Sequence, residues 1–296
     1  MKILNFFSNS HGSITFKVLM AVVILGSISL VSGVFPKNQI TPQDPNAPRY
    51  KPIDEDTVTK KSLQLKTIKF QQCSSISAID LLVDYSGSMG LAFSPTKLPA
   101  MQEALKIFGQ KLTDNSLIAL HTFNNTNREI IPFSLYKDVK ANYDSNIDRL
   151  NNPQDATHTR SALTYIKPKI EQAQAKWPGY QFSVILLSDG IPERANTPIK
   201  KTCPVTNPKP GMPSTRNFSI TEDPTQPPNV ADDIKNLGVR VFSIAILDQT
   251  DQCFSSALKE LMQNVASPDS YYETYNPDDL KTIYNNIVFE VCNQAG

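Results

Sequence analysis

Three stretches of the chain are apolar almost from end to end: Ser77–Val83, Phe182–Leu187 and Val239–Ile246. Each is too short for a buried helix, and none alternates apolar with polar residues as a strand with one wet face does. Strands apolar on both sides belong to a parallel sheet covered on both faces, and parallel neighbours need long crossovers, usually helices. The intervening sequence supplies them. Leu98, Met101, Leu105, Phe108 and Leu112 recur at helical spacing, with Pro99 in a tolerated first-turn position. Ala162–Lys176 has a helical composition that Pro168 is expected to kink or interrupt. Ala257–Val265 predicts a short helix, and Asn276 with Pro277 opens a last one carrying Leu280, Ile283, Tyr284, Ile287, Val288 and Val291. Ser116–Phe123 and Glu129–Phe133 flank an Asn-rich turn and predict an antiparallel edge pair, with His121 a core or edge histidine; Tyr271–Tyr275 is a final strand. The fold class is therefore α/β: a doubly wound, mostly parallel six-stranded sheet with one antiparallel edge strand.

This pattern occupies residues 73–296. Ahead of it, within residues 1–35, Val18 to Phe35 are uncharged and as a helix would reach about 27 Å, close to a bilayer core. Lys2 and Lys17 precede this run, which favours an exported remainder. The segment reads as a transmembrane anchor or a cleaved signal peptide. The domain is thus expected outside the cytoplasm, on a single-pass membrane protein or secreted. Residues 36–72 form a polar, Pro-rich linker, in which Pro36, Pro42, Pro45, Pro48 and Pro52 favour an extended spacer.

Composition removes several functions. Lys plus Arg at 29 against Asp plus Glu at 28 leaves no polycation for a phosphate backbone, so no nucleic-acid partner is expected. The chain has no G-x-x-x-x-G-K-[ST] motif, so no nucleotide is expected either. Three histidines, and cysteines without a C-x-x-C pair, offer little to zinc or an iron–sulfur cluster.

Doubly wound sheets bind ligands at the carboxyl ends of their strands. The first strand runs into Asp84-Tyr85-Ser86-Gly87-Ser88-Met89-Gly90, and the fourth into Ser188-Asp189-Gly190. Thr157 and His158 lie between them, ahead of the Ala162 helix. Two carboxylates with several hydroxyls make a hard-oxygen set, which suits Mg2+ better than Ca2+ because so few protein oxygens are offered. Gly87 and Gly90 are expected to let the backbone turn there.

These residues closely resemble the von Willebrand factor type A domain, whose metal-ion-dependent adhesion site is built from D-x-S-x-S, a threonine and an aspartate. Asp84, Ser86 and Ser88 match the first motif, Thr157 the threonine and Asp189 the final aspartate, with no departure. The resemblance spans roughly Cys73 to Cys292. It implies a Rossmann-like sheet in the order 3-2-1-4-5-6, with Ser86 and Ser88 ligating Mg2+ directly (Mn2+ or Ca2+ as substitutes). It also implies that Thr157 and Asp189 exchange direct for water-mediated contact as the terminal helix shifts. Tyr85, Met89, His158 and Gly190 would form the rim, and an open coordination position would take a carboxylate from a protein or glycan-bearing partner.

Four cysteines in an exported chain allow three pairings. Their places in such a fold imply Cys73–Cys292 at the bottom and Cys203–Cys253 on the upper rim. Residues 191–228, rich in proline, are an insertion relative to the family core, either a disordered excursion or a partner-recognition lip. A hydrolase triad of Ser86, His158 and Asp189 lacks a G-x-S-x-G elbow. The expectation is therefore a cell-adhesion or interaction module and not an enzyme, with a scaffold subunit of an envelope or pilus-like assembly as the alternative.

Overall fold

Strand β1 (Ser77–Asp84) is buried at every residue, and its alternating side chains build two separate cores. The computed structural model describes residues 76–90, 96–193, 201–204, 215–249 and 251–293, all within a unit spanning Thr67–Gly296. Ile79, Leu81 and Val83 face α1 (Lys97–Gly109), α2 (Tyr136–Asp148) and α6 (Leu280–Asn293) through Met101, Leu105, Phe108, Tyr143, Tyr284 and Ile287. Ala78 and Leu82 face the opposite way, toward α3 (Thr159–Lys176), α4 (Val230–Asn236) and α5 (Gln252–Val265). A strand has period two, so a run apolar at both phases serves both layers.

The remaining strands are β2 (Leu117–Phe123), β3 (Asn127–Leu135), β4 (Gln181–Ser188), β5 (Lys201–Pro204), β6 (Thr215–Phe218), β7 (Arg240–Ile246) and β8 (Tyr271–Thr274). The main sheet has the order β3-β2-β1-β4-β7-β8. β3 is antiparallel to β2, and every other pair is parallel. This is the expected architecture, including the antiparallel edge. The order reverses between β1 and β4, which places Asp84 and Ser188 at the switch point. β5 and β6 form a separate antiparallel pair inside the insertion.

Two local expectations give way. The 13-residue α2 has no counterpart in the apolar pattern, because only Tyr136, Tyr143 and Ile147 are buried along it. It is held from outside: the Tyr143 hydroxyl donates to the Leu105 carbonyl at 3.0 Å. Pro168 does not interrupt α3, which runs unbroken from Thr159 to Lys176. Pro168 and Thr164, whose carbonyl loses its helical partner, both lie on the exposed side, where that carbonyl is open to solvent.

The anchor or signal at 1–35, the linker at 36–72 and Cys73 lie outside the described residues. Among the described residues no helix is long and apolar enough to cross a membrane. Cys253 and Cys292 are each disulfide-bonded, on opposite sides of the sheet. The side chain of Cys203 is outside the described set.

His121 is fully buried on β2, so it is a core histidine. Its Nδ1 lies 2.7 Å from Asp80 Oδ1 and its Nε2 3.2 Å from Glu129 Oε2; Glu129 also pairs with Lys169 at 2.7 Å. Burial alone would lower the imidazole pKa, but the Asp80 charge and hydrogen bond, then those of Glu129, outweigh it and raise the pKa above 6.5. The folded state therefore holds the proton more tightly than the unfolded chain. That stabilisation is complete below pH 6.5 and disappears as pH rises through the higher folded value. Denaturant midpoints of the wild type should fall as the solution is made alkaline from pH 6.5. His121→Gln should lose this component and, by stranding Asp80, cost about 3 kcal/mol near neutrality. Parallel pH profiles for the two proteins would refute the assignment.

Candidate metal centre

Where β1 ends, Asp84 turns its carboxylate inward and is fully buried. Its Oδ1 accepts the Ser86 amide at 2.8 Å, and its Oδ2 accepts the Ser188 hydroxyl at 2.6 Å. One carboxylate thus fixes the turn leaving β1 and fastens it to the end of β4. The chain continues through a 3-10 turn at Gly87–Met89. Ser86 Oγ lies 3.1 Å from Ser88 Oγ, and Ser88 Oγ donates to Asp189 Oδ1 at 2.7 Å. The other oxygen of Asp189 accepts a 2.6 Å bond from the Lys97 ammonium.

Thr157 arrives from the loop before α3. A Cβ built on Gly190 would lie only 2.5 Å from Thr157 Oγ1, so the hydroxyl occupies space that only a glycine leaves open. The Thr157 carbonyl accepts the Glu193 amide at 3.1 Å. Asp155 adopts the left-handed region at φ 70°, which Asp tolerates better than most residues, and its carbonyl accepts the Gly87 amide at 3.0 Å. The Gln154 amide donates to the Tyr85 carbonyl at 3.1 Å. All five expected metal residues therefore meet on three loops sewn together by main-chain bonds.

The expected rim needs correction. Met89 is 0% exposed and Tyr85 is buried beside it, both within the core shared with α1 and α6. The tight turn points them inward, and the Tyr85 hydroxyl accepts the Asn152 amide at 2.7 Å. Gly190 is buried against Thr157. His158 is the half-buried N-cap residue of α3, and its buried Nε2 has no hydrogen-bond partner. Gly87 and Gly90 are not needed for left-handed backbone, since only Gly179 and Gly238 among the described glycines have positive φ. Gly90 instead permits close approach: a Cβ there would meet the Gly87 carbonyl oxygen at 3.0 Å.

Two partners were not anticipated. Ser188 could have been found from its place beside Asp189 at a strand end. Lys97 had a different signal, a cation in the first turn of a helix, where the macrodipole disfavours it. The insertion also joins this region. Arg160 of α3 donates through its guanidinium to the carbonyls of Asp223, Gln226 and Pro227, while the Thr221 and Glu222 amides bond the Pro192 carbonyl. The described base of residues 191–228 is thus fastened beside Thr157.

The residues fit a divalent cation. Burial, then the charge of Asp189, pushes the Asp84 pKa up to about 7, although hydrogen bonds from Ser188 and Ser86 oppose the rise. These two dry carboxylates repel each other; Lys97 offsets the charge of Asp189, and a divalent cation would also offset that of Asp84. Among the described residues no three of His, Cys, Asp and Glu are placed so that they could hold a metal ion together. Any metal here is therefore held by two carboxylates with hydroxyls, the choice of a hard ion.

The von Willebrand factor type A domain model matches residues 79–286. Among solved structures, the chain resembles the pilus adhesin SpaC from Lactobacillus rhamnosus GG in its open conformation, at 15% identity and TM-score 0.52, covering 76% of this chain and 31% of that one. It resembles the vWF domain of the type V pili tip protein Mfa5 from Porphyromonas gingivalis at 16% identity and TM-score 0.51, covering 75% and 97%. It also resembles proximal thread matrix protein 1 from the mussel byssus with a zinc-occupied MIDAS motif, at 16% identity and TM-score 0.51, covering 75% and 49%. Such identities establish the fold alone. The chain spans less than half the length of SpaC and of the mussel protein. No curated protein matches it.

Gly190→Ala should destabilise the protein by about 1–3 kcal/mol through overpacking. Thr157→Ala in the same chain should recover most of that loss, because the colliding atom is Thr157 Oγ1. Additive losses in chemical denaturation would show that the two residues do not meet.

Proposed function

Because the chain belongs to the von Willebrand factor type A domain family, we propose that its β1–β4 rim is a metal-ion-dependent adhesion site that captures an acidic group of a protein or glycan-bearing partner. The observation that carries this reading is the continuous run Ser188–Asp84–Ser86–Ser88–Asp189 across two strand ends, with Thr157 alongside. Ser86, Ser88 and Thr157 would offer hydroxyl oxygens to Mg2+, while Asp84 and Asp189 balance its charge. When bound, the ion supplies an electrophilic position for an anionic oxygen.

The assignment is a binding module and not an enzyme. Supporting this, the oxygens of Asp189 are engaged by Ser88 and Lys97, the buried Nε2 of His158 has no hydrogen-bond partner, and the Ser86 hydroxyl lies against Ser88. An extracytoplasmic location, anchored or secreted, is supported by the apolar run at 18–35 and by the bonded state of Cys253 and Cys292. We assign their partners as Cys203 and Cys73. β5, which carries Cys203, packs against α5, which carries Cys253. A second reading, docking to an acidic residue of a neighbouring subunit in a pilus-like assembly, is favoured by the near-complete coverage of the Mfa5 domain.

Titration calorimetry of the wild type with Mg2+ should give saturable heat that Asp84→Ala and Ser86→Ala abolish. Unchanged heat in both variants would remove the metal reading. A pull-down from the native surface fraction should lose its captured partner in EDTA. Non-reducing peptide mapping should recover Cys73–Cys292 and Cys203–Cys253, and any other pairing overturns the disulfide assignment.

A further inference from the structure

Lys97 is the first residue of α1, a position where the helix dipole repels a cation. The first turn contains no acidic residue to offset it. Its ammonium nevertheless reaches 2.6 Å from Asp189 Oδ2, in an ion pair whose side chains are 20% and 0% exposed. A pair this short, on a carboxylate wholly withdrawn from water, is charge-assisted and strong. It differs from the pair in the last turn of the same helix, Lys106–Asp148, whose aspartate is 60% exposed and whose worth is small.

Asp189 has two oxygens, and both are committed: Oδ1 to Ser88 and Oδ2 to Lys97. The proposed metal site calls on the same carboxylate. A cation entering beside Ser86 and Ser88 meets Asp189 already neutralised by an ammonium, while buried Asp84 stays within its field.

Resting on the metal reading above, we infer that Lys97 is a tethered competitor for the divalent cation, seated on Asp189 from the start of α1. The site must release Lys97 from Asp189 before that carboxylate can face a metal. Its apparent affinity is therefore the intrinsic affinity reduced by the fraction of molecules in which the pair is open. Lys97 does not ligate the metal. It positions Asp189 and sets the cation concentration at which the site fills, so loading follows the surrounding divalent level and does not persist at trace amounts.

The test uses the full chain, Mg2+ alone as titrant, and thermal unfolding with and without EDTA. Lys97→Met removes the charge at similar length, and Lys97→Gln serves where Met disturbs folding. Lys97→Arg keeps a cation at the position, and Lys106→Met removes an equal charge from the same helix away from the site. Lys97→Met should bind Mg2+ about tenfold more tightly than wild type, given the strength of a buried charge-assisted bond. Lys97→Arg and Lys106→Met should stay near wild type. In EDTA, Lys97→Met should melt earlier than wild type, because Asp189 has lost its counter-charge; in saturating Mg2+ the two should melt alike. Lys97→Met affinity equal to or weaker than wild type, with Asp84→Ala inactive, overturns the inference and leaves the metal reading intact. Tightening by Lys106→Met to the same degree would show a general charge effect and overturn it too. Absence of binding by both wild type and Lys97→Met overturns both.

Discussion

The carboxylate of Asp84 is the constraint on which the upper rim depends. It sits at the end of the central strand, has no access to water, and is met by a backbone amide of its own turn and a hydroxyl of the neighbouring strand. A buried acid with only neutral partners is costly. The surrounding loops are therefore arranged to supply donors, and the order of β1 beside β4 brings those donors within reach. Once Asp84 is fixed, Ser86 and Ser88 are committed to the same side of the 3-10 turn. Asp189, one residue past Ser188, is carried to them.

Much of this was legible in the sequence because the strands are apolar at both phases, which only a sheet covered on both faces explains. The antiparallel edge was legible as well, from the Asn-rich turn that joins β2 to β3. What escaped detection had sparse or indirect signals. α2 buries one residue per turn or fewer and takes its place from Tyr143 and the close approach to Gly109, where a Cβ would lie 2.3 Å from the tyrosine ring. The five oxygen-bearing residues followed from their spacing and strand-end positions, but the side of the turn on which Tyr85 and Met89 fall depends on dihedral angles that a motif does not encode. Lys97 is the sharpest case: its partner is 92 residues away, and only its electrostatically poor location hinted that it had one.

The lower end of the domain is secured differently. Glu290 of α6 receives Arg240 of β7 at 2.6 Å and the Tyr272 hydroxyl of β8, and Cys292 lies two residues on. Farther up, Phe108 and Tyr284 meet edge to face with ring centroids 5.8 Å apart. The last helix is thus clamped by ionic and covalent bonds near its end and by packing nearer its start. The ionic contact at its start, Lys281–Glu103, is partly exposed and therefore weak.

The register of β1 has a mechanical meaning. The chain enters this strand at Ser77, beside Gln181, and leaves it at Asp84, beside Phe123. Tension between a partner gripped at the rim and the chain entering below would run lengthwise along the middle strand of the sheet. Its ladders to β2 and β4 lie across that line of pull, so their hydrogen bonds share the load together. They would not open one after another, as they do when an edge strand is peeled away.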